Sequence, residues 1–518
     1  MSNRLKKTFK PKTAMTLDWQ HFYRGLLATV LTAIVSPTFW SQPAHSQVQG
    51  SCLASPADIA EKEQLRQASL EGDQAARDRY QAFLVKEAER LQECRQQTWP
   101  QNQALWLRLY PCDLQPGALD ALMDRIVNKG YNKVYLEAFY DGQALLPQAE
   151  NNTPWPSVVR VPGYENADLL AEGIKKGQER GLKVYAWLFT INFGYSYSQL
   201  PDRQGALARN GQGHTTLTVM QDPSLHEQVG QSHANHAFID PYSPQARQDY
   251  AGVIREILKR KPDGMLFDYV RYLRGVGPAS VVTKPSDLWI YSEASQQTLV
   301  QRGLNQKGQE LIRRYVTQGS ITANDIAAVD ALYPNEAEPM WQGRNVPPGA
   351  KTMGTPGERL PLLQWQLWYL SVAHAVQGII DFVHLAVDQV RPQGIPSGAV
   401  FFPGGNRPVG QGGFDSRLQA WDRFLPEMEW HPMSYANCQK PDCIMEEVER
   451  VLSMAPEGTE VIPALAGDWG VAVTNRPPLE DQMYALRRYS SRINSVSHFA
   501  YSWQEPDSDR DRKFCQLN

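Results

Sequence analysis

The sequence predicts an α/β protein of the (β/α)8 TIM-barrel class, with the barrel running from residue 104 to residue 518. From residue 104 onward, apolar runs of strand length alternate with segments of helical periodicity, which gives eight strands and seven intervening helices. Acidic residues fall where several of these strands end, as is typical of the catalytic rim of a barrel. Two connections are far longer than the usual length of about two to six residues, and both follow strands. A doubly wound open sheet is the alternative architecture.

The predicted elements alternate along the chain. We expect strands at residues 104–110, 133–140, 183–189, 264–269, 398–402, 429–435, 460–466 and 496–503. We expect helices at residues 117–129, 167–180, 244–259, 360–390, 416–424, 445–455 and 479–494. The helix at 360–390 is apolar on nearly every side, but Gln364, His374 and Asp381 argue against a membrane span. We therefore expect a buried barrel helix that Gly378 could break.

The chain before residue 104 divides into a targeting segment and a helical segment. Six Lys and Arg residues precede an apolar run at 25–35 and the small-residue pattern Ala44-His45-Ser46, so we expect residues 1–46 to form a signal peptide. An uncleaved anchor is the alternative, although the run is too short to span a bilayer comfortably. Residues 47–103, interrupted at Gly72, predict a helical hairpin on the outside of the barrel domain.

The composition is that of a globular protein with an ample core. Hydrophobic residues make up 42% of the chain, with 14 Trp, 22 Tyr and 16 Phe. The net charge is −3, to which the first 46 residues contribute +5, so the exported chain would carry about −8. We therefore expect no nucleic acid partner, and no stable membrane span once the signal has been removed. The sequence leaves the oligomeric state open.

All six cysteines lie after the signal segment, and export predicts that they form disulfides. The candidate pairs are Cys52 with Cys94, Cys112 with Cys515, and Cys438 with Cys443. The first pair brackets a helical segment and the third brackets a short turn that contains proline. The second pair follows the first and last barrel strands, so closure of the barrel would bring it together. Six cysteines allow many connectivities, and this pairing is an inference from topology.

The two long connections are Thr190–Ser243 after the third strand and Leu273–Arg359 after the fourth. Both run from a strand to a helix, so both belong to the carboxyl-terminal face of the barrel. We expect the second, an insertion at 273–359, to contain helices near 293–315 and 324–332. Ordered insertions on this face usually build a cleft or a lid.

The segment Pro262–Tyr272 carries the strongest functional signal. A turn leads into the apolar run 265–267, which ends abruptly in Asp268, with Arg271 close behind it. A carboxylate at the end of a buried strand is costly unless it is hydrogen-bonded or used, and this end of a barrel strand carries the chemistry. The alternative is an Asp that caps the next turn.

Glycoside hydrolysis needs two carboxyl groups across the scissile bond, one protonated and one ionised. Asp268 is the first candidate, as nucleophile or general base. Glu137 is the preferred general acid, because Tyr135, Glu137 and Phe139 should share one strand face and a buried Glu tends to stay protonated. Asp468, after the seventh strand, is the rival partner.

Each partner carboxylate has a structural alternative. Glu137 could form an ion pair inside the barrel with Arg108 or Arg271. Asp468 could belong to a turn. These alternatives stay open at the level of sequence.

Aromatic residues accompany the carboxylates at the strand ends, which suits a cleft for a sugar chain. Rings pack on the apolar faces of pyranose units, while carboxylates and Arg bind the hydroxyl groups. The candidate substrate-binding residues are Asp141, Arg271, Tyr140, Trp187, Tyr272, Tyr435, Trp469 and Trp503. Each ring taken alone is more often a core residue than a ligand platform.

The sequence predicts no cofactor and no metal site. Four of the ten histidines fall in the loop after the third strand, namely His214, His226, His233 and His236. Their spacing matches no compact metal motif. The glycine-rich turn at 402–406 lacks the Lys of a phosphate loop and the spacing of a dinucleotide motif.

Five segments carry motifs that resemble those of a known family. They are Asp141–Pro147 (DGQALLP), Gly181–Trp187 (GLKVYAW), Asp240–Tyr250 (DPYSPQARQDY), Asp263–Tyr269 (DGMLFDY) and His431–Tyr435 (HPMSY). These segments resemble motifs of the glycosyl hydrolase-like 10 family of bacterial proteins. The fourth segment is similar to the strand-four signature of that family. The resemblance covers about residues 104–505 and is most specific over 120–272.

This resemblance implies an exported TIM-barrel enzyme that acts on glycans, and some members of the family act on peptidoglycan strands stripped of peptides. The family pattern often has two adjacent Asp residues in strand four, whereas here Tyr269 follows Asp268. We therefore expect a periplasmic or secreted glycoside hydrolase that cleaves a polysaccharide, with a cell-wall glycan as a candidate substrate. A non-catalytic carbohydrate-binding barrel is the main alternative, and a metal-dependent hydrolase is a third.

Overall fold

The computed structural model describes residues 52–222, 224–225, 235–345 and 354–517. These residues all belong to one compact unit, Ser46–Asn518. The signal peptide expected at residues 1–46 lies outside the described residues.

Eight parallel strands close into a barrel, so the predicted fold class is confirmed. Barrel strands 1 to 8 are Asn102–Leu107, Lys133–Tyr140, Lys183–Phe189, Gly264–Asp268, Ser397–Phe401, Glu429–Ser434, Ala464–Ala466 and Ser495–Phe499. Each strand pairs with the next, and strand 1 pairs in parallel with both strand 2 and strand 8, which closes the ring. Strand 2 is buried along its whole length, because its inner face fills the barrel and its outer face meets the helices. Short strands outside the barrel are Gln143–Ala144, Val281–Val282, Pro408–Val409 and Gly413–Asp415.

Helices cover the outside of the barrel between successive strands. They are Ala118–Asn128, Leu169–Gln178, Pro244–Leu258, Pro356–Val390, Pro441–Met454 and Leu479–Leu486, with Pro506–Phe514 after the last strand. Several begin at a residue whose side chain accepts a first-turn N–H, as Asp168, Ser243 and Thr355 do. Such caps satisfy donors that the helix itself leaves free, which explains why the predicted starts lie within a few residues of the observed ones.

The helix expected at residues 416–424 is not formed, so this prediction is wrong. The chain after strand 5 makes a hairpin within 408–415 and then only a single 3-10 turn. Leu418 has a left-handed φ of 48°. Gln419 donates its backbone N–H to Gly405 rather than to a residue one turn earlier. Hydrogen bonds to the glycine-rich turn therefore override the local helical periodicity.

The long helix Pro356–Val390 is continuous through Gly378, so the break that the sequence allowed is not present. A Cβ at Gly378 would lie 2.8 Å from atoms of both Pro241 and Tyr242, and the glycine thus permits close packing of the helix on this segment. Among the described residues, only Pro356–Gln393 is long and apolar enough to cross a membrane, and 67% of its most apolar window is buried inside the protein. The burial of this helix agrees with the expectation of a buried barrel helix.

Two helices before the barrel, Pro56–Leu70 and Gln74–Gln97, form the expected hairpin. Tyr80 of the second helix donates its hydroxyl to Asp124 of the first barrel helix, at 2.7 Å. Arg180 donates to the same carboxylate, also at 2.7 Å. The hairpin is thereby joined to the outer layer of the barrel by a buried polar network.

The three expected disulfides are formed. They are Cys52–Cys94, Cys112–Cys515 and Cys438–Cys443, with Cα atoms 5.8, 6.2 and 6.6 Å apart. The second bond joins the loop after strand 1 to the end of the chain, at the place where the barrel closes.

Both long connections extend from the carboxyl-terminal ends of their strands. The first contains the short helices Gly194–Ser198 and Thr216–Gln221, and the second contains Glu293–Gln301, Gln306–Gln318 and Ala323–Leu332. The single helix expected at 293–315 is therefore two helices. Gly303 lies at the corner between them, where a Cβ would come within 2.6 Å of Gln309.

Candidate active site

A polar cluster forms the amino-terminal floor of the barrel interior. Glu429 accepts a hydrogen bond from the hydroxyl of Tyr185 at 2.9 Å and lies 3.1 Å from the ring nitrogen Nε2 of His431. The ammonium group of Lys133 lies 3.8 Å from the same carboxylate. We call these four residues the floor cluster. Because Tyr185, His431 and Lys133 all lie against the Glu429 carboxylate, we interpret the floor cluster as a structural feature of the barrel.

Aromatic rings fill the barrel above the floor cluster. Trp106 of strand 1 meets Tyr135, Trp187 and Phe499 edge-on, with ring centroids 5.0, 4.7 and 5.9 Å apart. Trp106 and Tyr135 are buried in this ring layer, so aromatic side chains fill the barrel interior at this level. Chemistry is therefore confined to the carboxyl-terminal rim above it, as in other packed barrels.

Asp268 is the last residue of strand 4, and its carboxylate lies at the upper edge of the ring layer. The indole N–H of Trp187 donates to Oδ2 at 3.2 Å, and the backbone N–H of Tyr269 donates to Oδ1 at 2.6 Å. Burial raises the pKa of Asp268 to about 6, although these two donors and the charge of Arg271 act in the opposite direction. Asp268 is thus a buried carboxylate held by hydrogen bonds at the rim.

The backbone turns sharply after Asp268. Tyr269 has a left-handed φ of 52°, a conformation that costs a residue with a Cβ about 1 kcal/mol. Its ring lies 4.2 Å from that of Phe189 and 5.2 Å from that of His236, so packing holds the strained turn in place. Strained residues of this kind are common at functional sites. Here the turn presents the Tyr269 N–H to the Asp268 carboxylate.

Glu137 lies in strand 2, directly opposite Trp187 of strand 3. Its side chain is buried, and Arg108 at the end of strand 1 donates to Oε2. Oε1 is buried without a hydrogen-bond partner in the described part of the chain. Burial raises the pKa of Glu137 to about 7 against the lowering effect of Arg108, and the charges of Asp141 and Asp268 add to the rise. The contact between Arg108 and Oε2 is the ion pair that the sequence analysis gave as an alternative for Glu137.

A β-bulge follows Glu137 and changes which residues of strand 2 face the interior. The pairing with strand 3 shifts register between Glu137 and Phe139. The ring of Tyr135 lies 5.4 Å from His431 inside the barrel, whereas the ring of Phe139 lies 6.4 Å from Tyr250 of an outer helix. The expectation of one shared face is wrong for Phe139, because the extra residue of a bulge reverses the alternation.

The pKa values of the two carboxyl groups differ in the direction that acid–base chemistry requires, since that of Glu137 is the higher. Between pH 6 and 7, Glu137 is mainly protonated and Asp268 is mainly ionised, given pKa values of about 7 and about 6. One group can then release a proton while the other carries negative charge. Trp187 connects them, because it is the strand partner of Glu137 and a hydrogen-bond donor to Asp268.

Arg271 is buried beside Asp268. Its guanidinium lies 4.7 Å from the ring centroid of Tyr269 and 5.5 Å from that of Phe402, and Nη1 donates to the carbonyl of Tyr272 at 3.0 Å. In the described part of the chain, no carboxylate lies within ion-pairing distance of it. Arg271 thus brings to the rim a positive charge that forms no ion pair among the described residues, although the charge of Asp268 acts on it.

Tyr140 and Asp141 end strand 2 on the same side of the rim as Arg108. The Arg108 guanidinium lies 4.2 Å from the Tyr140 ring centroid and 3.7 Å from the Asp141 carboxylate. Asp141 is partly exposed and has a left-handed φ of 48°. These two predicted binding residues therefore flank the Glu137 side of the site.

Tyr435 and Trp503 gather around Phe499, the last residue of strand 8. Their rings lie 5.7 and 6.1 Å from the Phe499 ring, and the Trp187 ring lies 6.4 Å from it. Burial and the charge of Asp268 raise the pKa of Tyr435, which indicates that its hydroxyl is near that carboxylate. The structure thus brings three of the predicted aromatic residues together on the Asp268 side.

Three predicted site residues point elsewhere. The indole N–H of Trp469 donates to the hydroxyl of Tyr131 at 3.2 Å, and its ring lies 5.3 Å from His498, on the outer face of strand 8. Asp468 accepts the N–H of Trp469 at 2.7 Å, as in the turn that the sequence allowed. Tyr272 is completely buried and offers no surface to a ligand.

Sequence reasoning missed Glu447 and three arginines near it. Glu447 belongs to the helix Pro441–Met454 and accepts a backbone N–H at 3.0 Å. Burial raises the pKa of Glu447 to about 7, against the lowering charges of Arg407, Arg476 and Arg417. The positions of these arginines after strands 5 and 7 could have been noticed in the sequence. That the three side chains lie close together is visible only in the closed barrel.

The histidine-rich loop is described only in part, since His226 and His233 lie outside the described residues. His236 packs against Tyr269 as noted above, and His214 lines a cavity between the two insertions. Within the described ranges, no group of three or more His, Cys, Asp or Glu side chains could hold a metal ion.

Comparison with family models and with curated proteins found no match. Among solved structures, the chain is similar to a glycoside hydrolase family 20 exo-β-N-acetylglucosaminidase from Vibrio harveyi, with 12% identity and a TM-score of 0.39 over 80% of this chain and 52% of that one. It is also similar to a family 20 β-N-acetylhexosaminidase from Streptomyces coelicolor, with 10% identity and a TM-score of 0.37 over 80% and 62%. A hypothetical protein from Ruminiclostridium thermocellum matches 44% of this chain over 90% of its own, with 13% identity and a TM-score of 0.24. The chain spans about half the length of the V. harveyi enzyme.

Proposed function

We propose that this protein is an exported glycoside hydrolase that cleaves a polysaccharide, with cell-wall glycan strands as the substrate to test first. The observation that carries the proposal is the pair of buried carboxyl groups at the barrel rim, Glu137 and Asp268. Their pKa values of about 7 and about 6 supply one acid and one base near neutral pH. The choice of a cell-wall glycan follows from the family resemblance of segments such as Asp263–Tyr269.

In this mechanism Glu137 donates its proton to the glycosidic oxygen as the leaving sugar departs. The carboxylate that remains is stabilised by Arg108, which already contacts Oε2. Asp268 acts either as the nucleophile, forming a glycosyl ester that water then hydrolyses, or as the base that deprotonates an attacking water. The anomeric configuration of the first product, measured by NMR, distinguishes these two routes.

Aromatic rings on both sides of the carboxyl groups suit a sugar chain. Tyr140 lies on the Glu137 side, and Tyr435 and Trp503 lie on the Asp268 side. Beyond the rim, the two insertions enclose a cavity of about 700 Å³ whose wall includes Leu273 and Trp289. These surfaces could accept the units of a polysaccharide on either side of the bond that is cleaved.

Export is part of the proposal. Three disulfides and no free cysteine occur in the described part of the chain, a pattern typical of oxidising compartments. The basic and apolar segment at residues 1–46 adds a sequence argument for a signal peptide. We therefore propose a periplasmic or secreted location, which fractionation of expressing cells would test.

Reducing-end release from a panel of glycans, including peptide-free peptidoglycan strands, tests the proposed activity. We expect Asp268→Asn and Glu137→Gln each to lower the rate at least about a hundredfold, the lower end of acid–base contributions. Asp468→Asn tests the rival partner and should keep most of the activity, because that carboxylate serves a turn. Asp442→Asn, at an exposed position of a barrel helix, is the matched control.

A non-catalytic carbohydrate-binding barrel is the second candidate, and the ion pair between Arg108 and Glu137 favours it. In this alternative, the pairing with Arg108 keeps Glu137 ionised, so that it does not act as an acid. Wild-type protein that binds a glycan from the panel but releases no reducing ends would establish this alternative and exclude the hydrolase.

A further inference from the structure

The rim carries a positive charge that forms no ion pair within the described residues. Arg271 is 6% exposed, and in the described part of the chain it has no carboxylate within ion-pairing distance. The pKa of Arg271 is lowered by burial, and the nearby charges of Arg417 and Arg274 add to that effect against the charges of Tyr269 and Asp268. A buried guanidinium without a counter-ion is costly, so its environment favours the arrival of an anion.

Arg417 lies next to Arg271. Its guanidinium is 4.7 Å from the ring centroid of Phe402, the same ring from which Arg271 is 5.5 Å distant. Arg417 pairs with Asp415 through Nε and Nη2, both at 2.7 Å. Its Nη1 has no protein partner among the described residues, which leaves one edge of the guanidinium free.

Arg407 and Arg476 extend the positive surface. A Cβ built on Gly404 would lie 3.7 Å from Nη2 of Arg417 and 4.0 Å from Nε of Arg407, so these two guanidinium groups flank one backbone position. Arg476 donates through Nε and Nη2 to the carbonyl of Tyr435, at 3.0 and 2.8 Å. Neither Arg407 nor Arg476 has an ion-pair partner within the described ranges.

We call Arg271, Arg407, Arg417 and Arg476 the arginine rim. The acidic groups among them are Asp268 beside Arg271, Asp415, which pairs with Arg417, and Glu447, whose Oε2 accepts a backbone N–H. Among the described residues, four guanidinium groups thus face three carboxyl groups. The positive charges therefore exceed the negative ones here, although the exported chain as a whole carries about −8. A local excess of this sign in an acidic protein points to a ligand rather than to general surface composition.

We propose that the arginine rim binds an acidic group of the substrate, so that the glycan carries carboxylate or sulfate groups on its sugars. Guanidinium groups match both anions in planar, two-pronged geometry. The rim adjoins Asp268 through Arg271 and Tyr435, so the acidic sugar lies next to the bond that is cleaved. The glycan part of this inference rests on the proposed function, but binding of an acidic polymer does not require catalysis.

Binding to matched pairs of glycans tests the inference. The protein is the Asp268→Asn variant, which should bind without cleaving, and affinity is measured by calorimetry at two salt concentrations. The acidic probes are oligogalacturonate, peptide-free peptidoglycan strands and chondroitin sulfate. Their neutral partners are the carboxyl-reduced forms of the first two, desulfated and carboxyl-reduced chondroitin, and chito-oligosaccharides. We expect at least one acidic probe to bind about tenfold or more tightly than its neutral partner.

Variants at Arg407, which is exposed, and at Arg476, which is half-buried, avoid disturbing the buried Arg271. In the Asp268→Asn background, Arg407→Gln and Arg476→Gln should each weaken binding of the acidic probe several-fold and reduce its salt dependence, while leaving neutral probes unaffected. Arg79→Gln, on the exposed face of the N-terminal hairpin, is the matched control. It should change neither the affinity for the acidic probe nor the salt dependence of that affinity. The oligogalacturonate and peptidoglycan pairs differ only in carboxylates, so a preference there identifies a carboxylate. The chondroitin pair differs in both anions, so a preference seen in that pair alone identifies the sulfate.

The outcomes separate the two proposals. Equal affinity for acidic and neutral partners, or no binding of any acidic probe, overturns the arginine-rim proposal, whether or not the wild type cleaves a neutral glycan. Selective acidic binding without reducing-end release by the wild type supports the rim and excludes the hydrolase. Loss of acidic binding in the Arg79→Gln control to the same extent as in the rim variants would also overturn the proposal, because the effect would then be one of overall charge.

Discussion

Asp268 and Glu137 both lie inside the barrel, yet different neighbours act on their carboxyl groups. Asp268 accepts two N–H groups, which stabilise its charged form against burial. Glu137 has one oxygen bound to Arg108 and one without a partner among the described residues, and burial is the largest cause of its pKa shift. At the residue scale, the site therefore owes its two opposite roles to local hydrogen bonding.

The first prediction concerns the pH dependence of hydrolysis. In the proposed mechanism, activity requires ionised Asp268, whose pKa is about 6, and protonated Glu137, whose pKa is about 7. We therefore expect kcat/KM to rise as pH increases through about 6 and to fall as it increases through about 7, giving a narrow bell. A rate profile in buffers from pH 4 to 9 measures it. A profile that stays flat from pH 5 to 8 would contradict the assignment of both carboxyl groups.

The second prediction concerns the hydrogen bond from Trp187. Trp187→Phe removes the indole donor to Oδ2 of Asp268 but keeps an aromatic ring in the layer. Loss of a donor to the charged form raises the pKa, so the acidic limb of the rate profile should move up by about one pH unit. Trp365→Phe, at an exposed position of the long barrel helix, serves as the control. An unchanged acidic limb would show that Trp187 does not act on Asp268.

At the scale of the element, each barrel strand delivers side chains to different layers of the interior. Strand 2 contributes Lys133 to the floor cluster, Tyr135 to the ring layer and Glu137 above it. The period of two residues explains this order. The bulge after Glu137 then turns Phe139 outward and ends the alternation next to the site, as bulges at barrel rims often do.

The third prediction concerns the floor cluster. Glu429→Gln leaves the buried Lys133 without its carboxylate, and we expect the free energy of unfolding to fall by about 3–5 kcal/mol. Urea denaturation measures the difference. Glu449→Gln, on the exposed side of a barrel helix, is the control and should change stability by less than about 1 kcal/mol. An equal effect of the two substitutions would count against a stabilising floor.

The floor cluster also gives stability an acid limit. Burial would raise the pKa of Glu429, but the hydrogen bond from His431 and the charge of Lys133 outweigh it and lower that pKa to about 2. The pKa of Glu429 is lower in the folded than in the unfolded protein. Its contribution to the free energy of unfolding is therefore fully present above about pH 4.5 and is lost as pH falls toward 2. Glu429→Gln should remove this part of the acid sensitivity. Parallel denaturation curves at pH 3 and pH 6 for both proteins would check it.

At the scale of the whole molecule, closure of the barrel assembles the site. Strand 1 pairs with strands 2 and 8. This pairing brings Arg108 and Glu137 close to Phe499 of strand 8, although these residues are far apart in sequence. The disulfide Cys112–Cys515 spans this junction and closes a loop of 403 residues, whereas Cys438–Cys443 closes one of 5.

The fourth prediction compares these two disulfides. In the loop-entropy model a longer closed loop stabilises the fold more, so Cys112→Ala with Cys515→Ala should cost about 6 kcal/mol of unfolding free energy. Cys438→Ala with Cys443→Ala should cost about 2 kcal/mol or less. Thermal and denaturant unfolding of the two double variants provides the comparison. A larger loss from the short loop would contradict a role of the first bond in securing barrel closure.

The sequence by itself determined the barrel, because alternating strand and helix patterns are local properties. The strand at 183–189 is observed with the predicted bounds and the helix at 244–259 ends one residue earlier, since β-rich apolar runs and capping residues act within a few positions. Asp268 could be found in the same way, because it ends such a run. The pairing of Cys112 with Cys515 followed from topology alone.

Tertiary structure decided what depends on distant contacts. The helix expected at 416–424 was lost to hydrogen bonds with Gly405, and the face of Phe139 was reversed by a bulge that its own sequence does not mark. Likewise, Trp469 resembled a rim residue but packs outside strand 8. The arginine rim appears only once the barrel brings the ends of strands 4, 5 and 7 to the same face. Such features arise from long-range packing, which a local pattern does not encode.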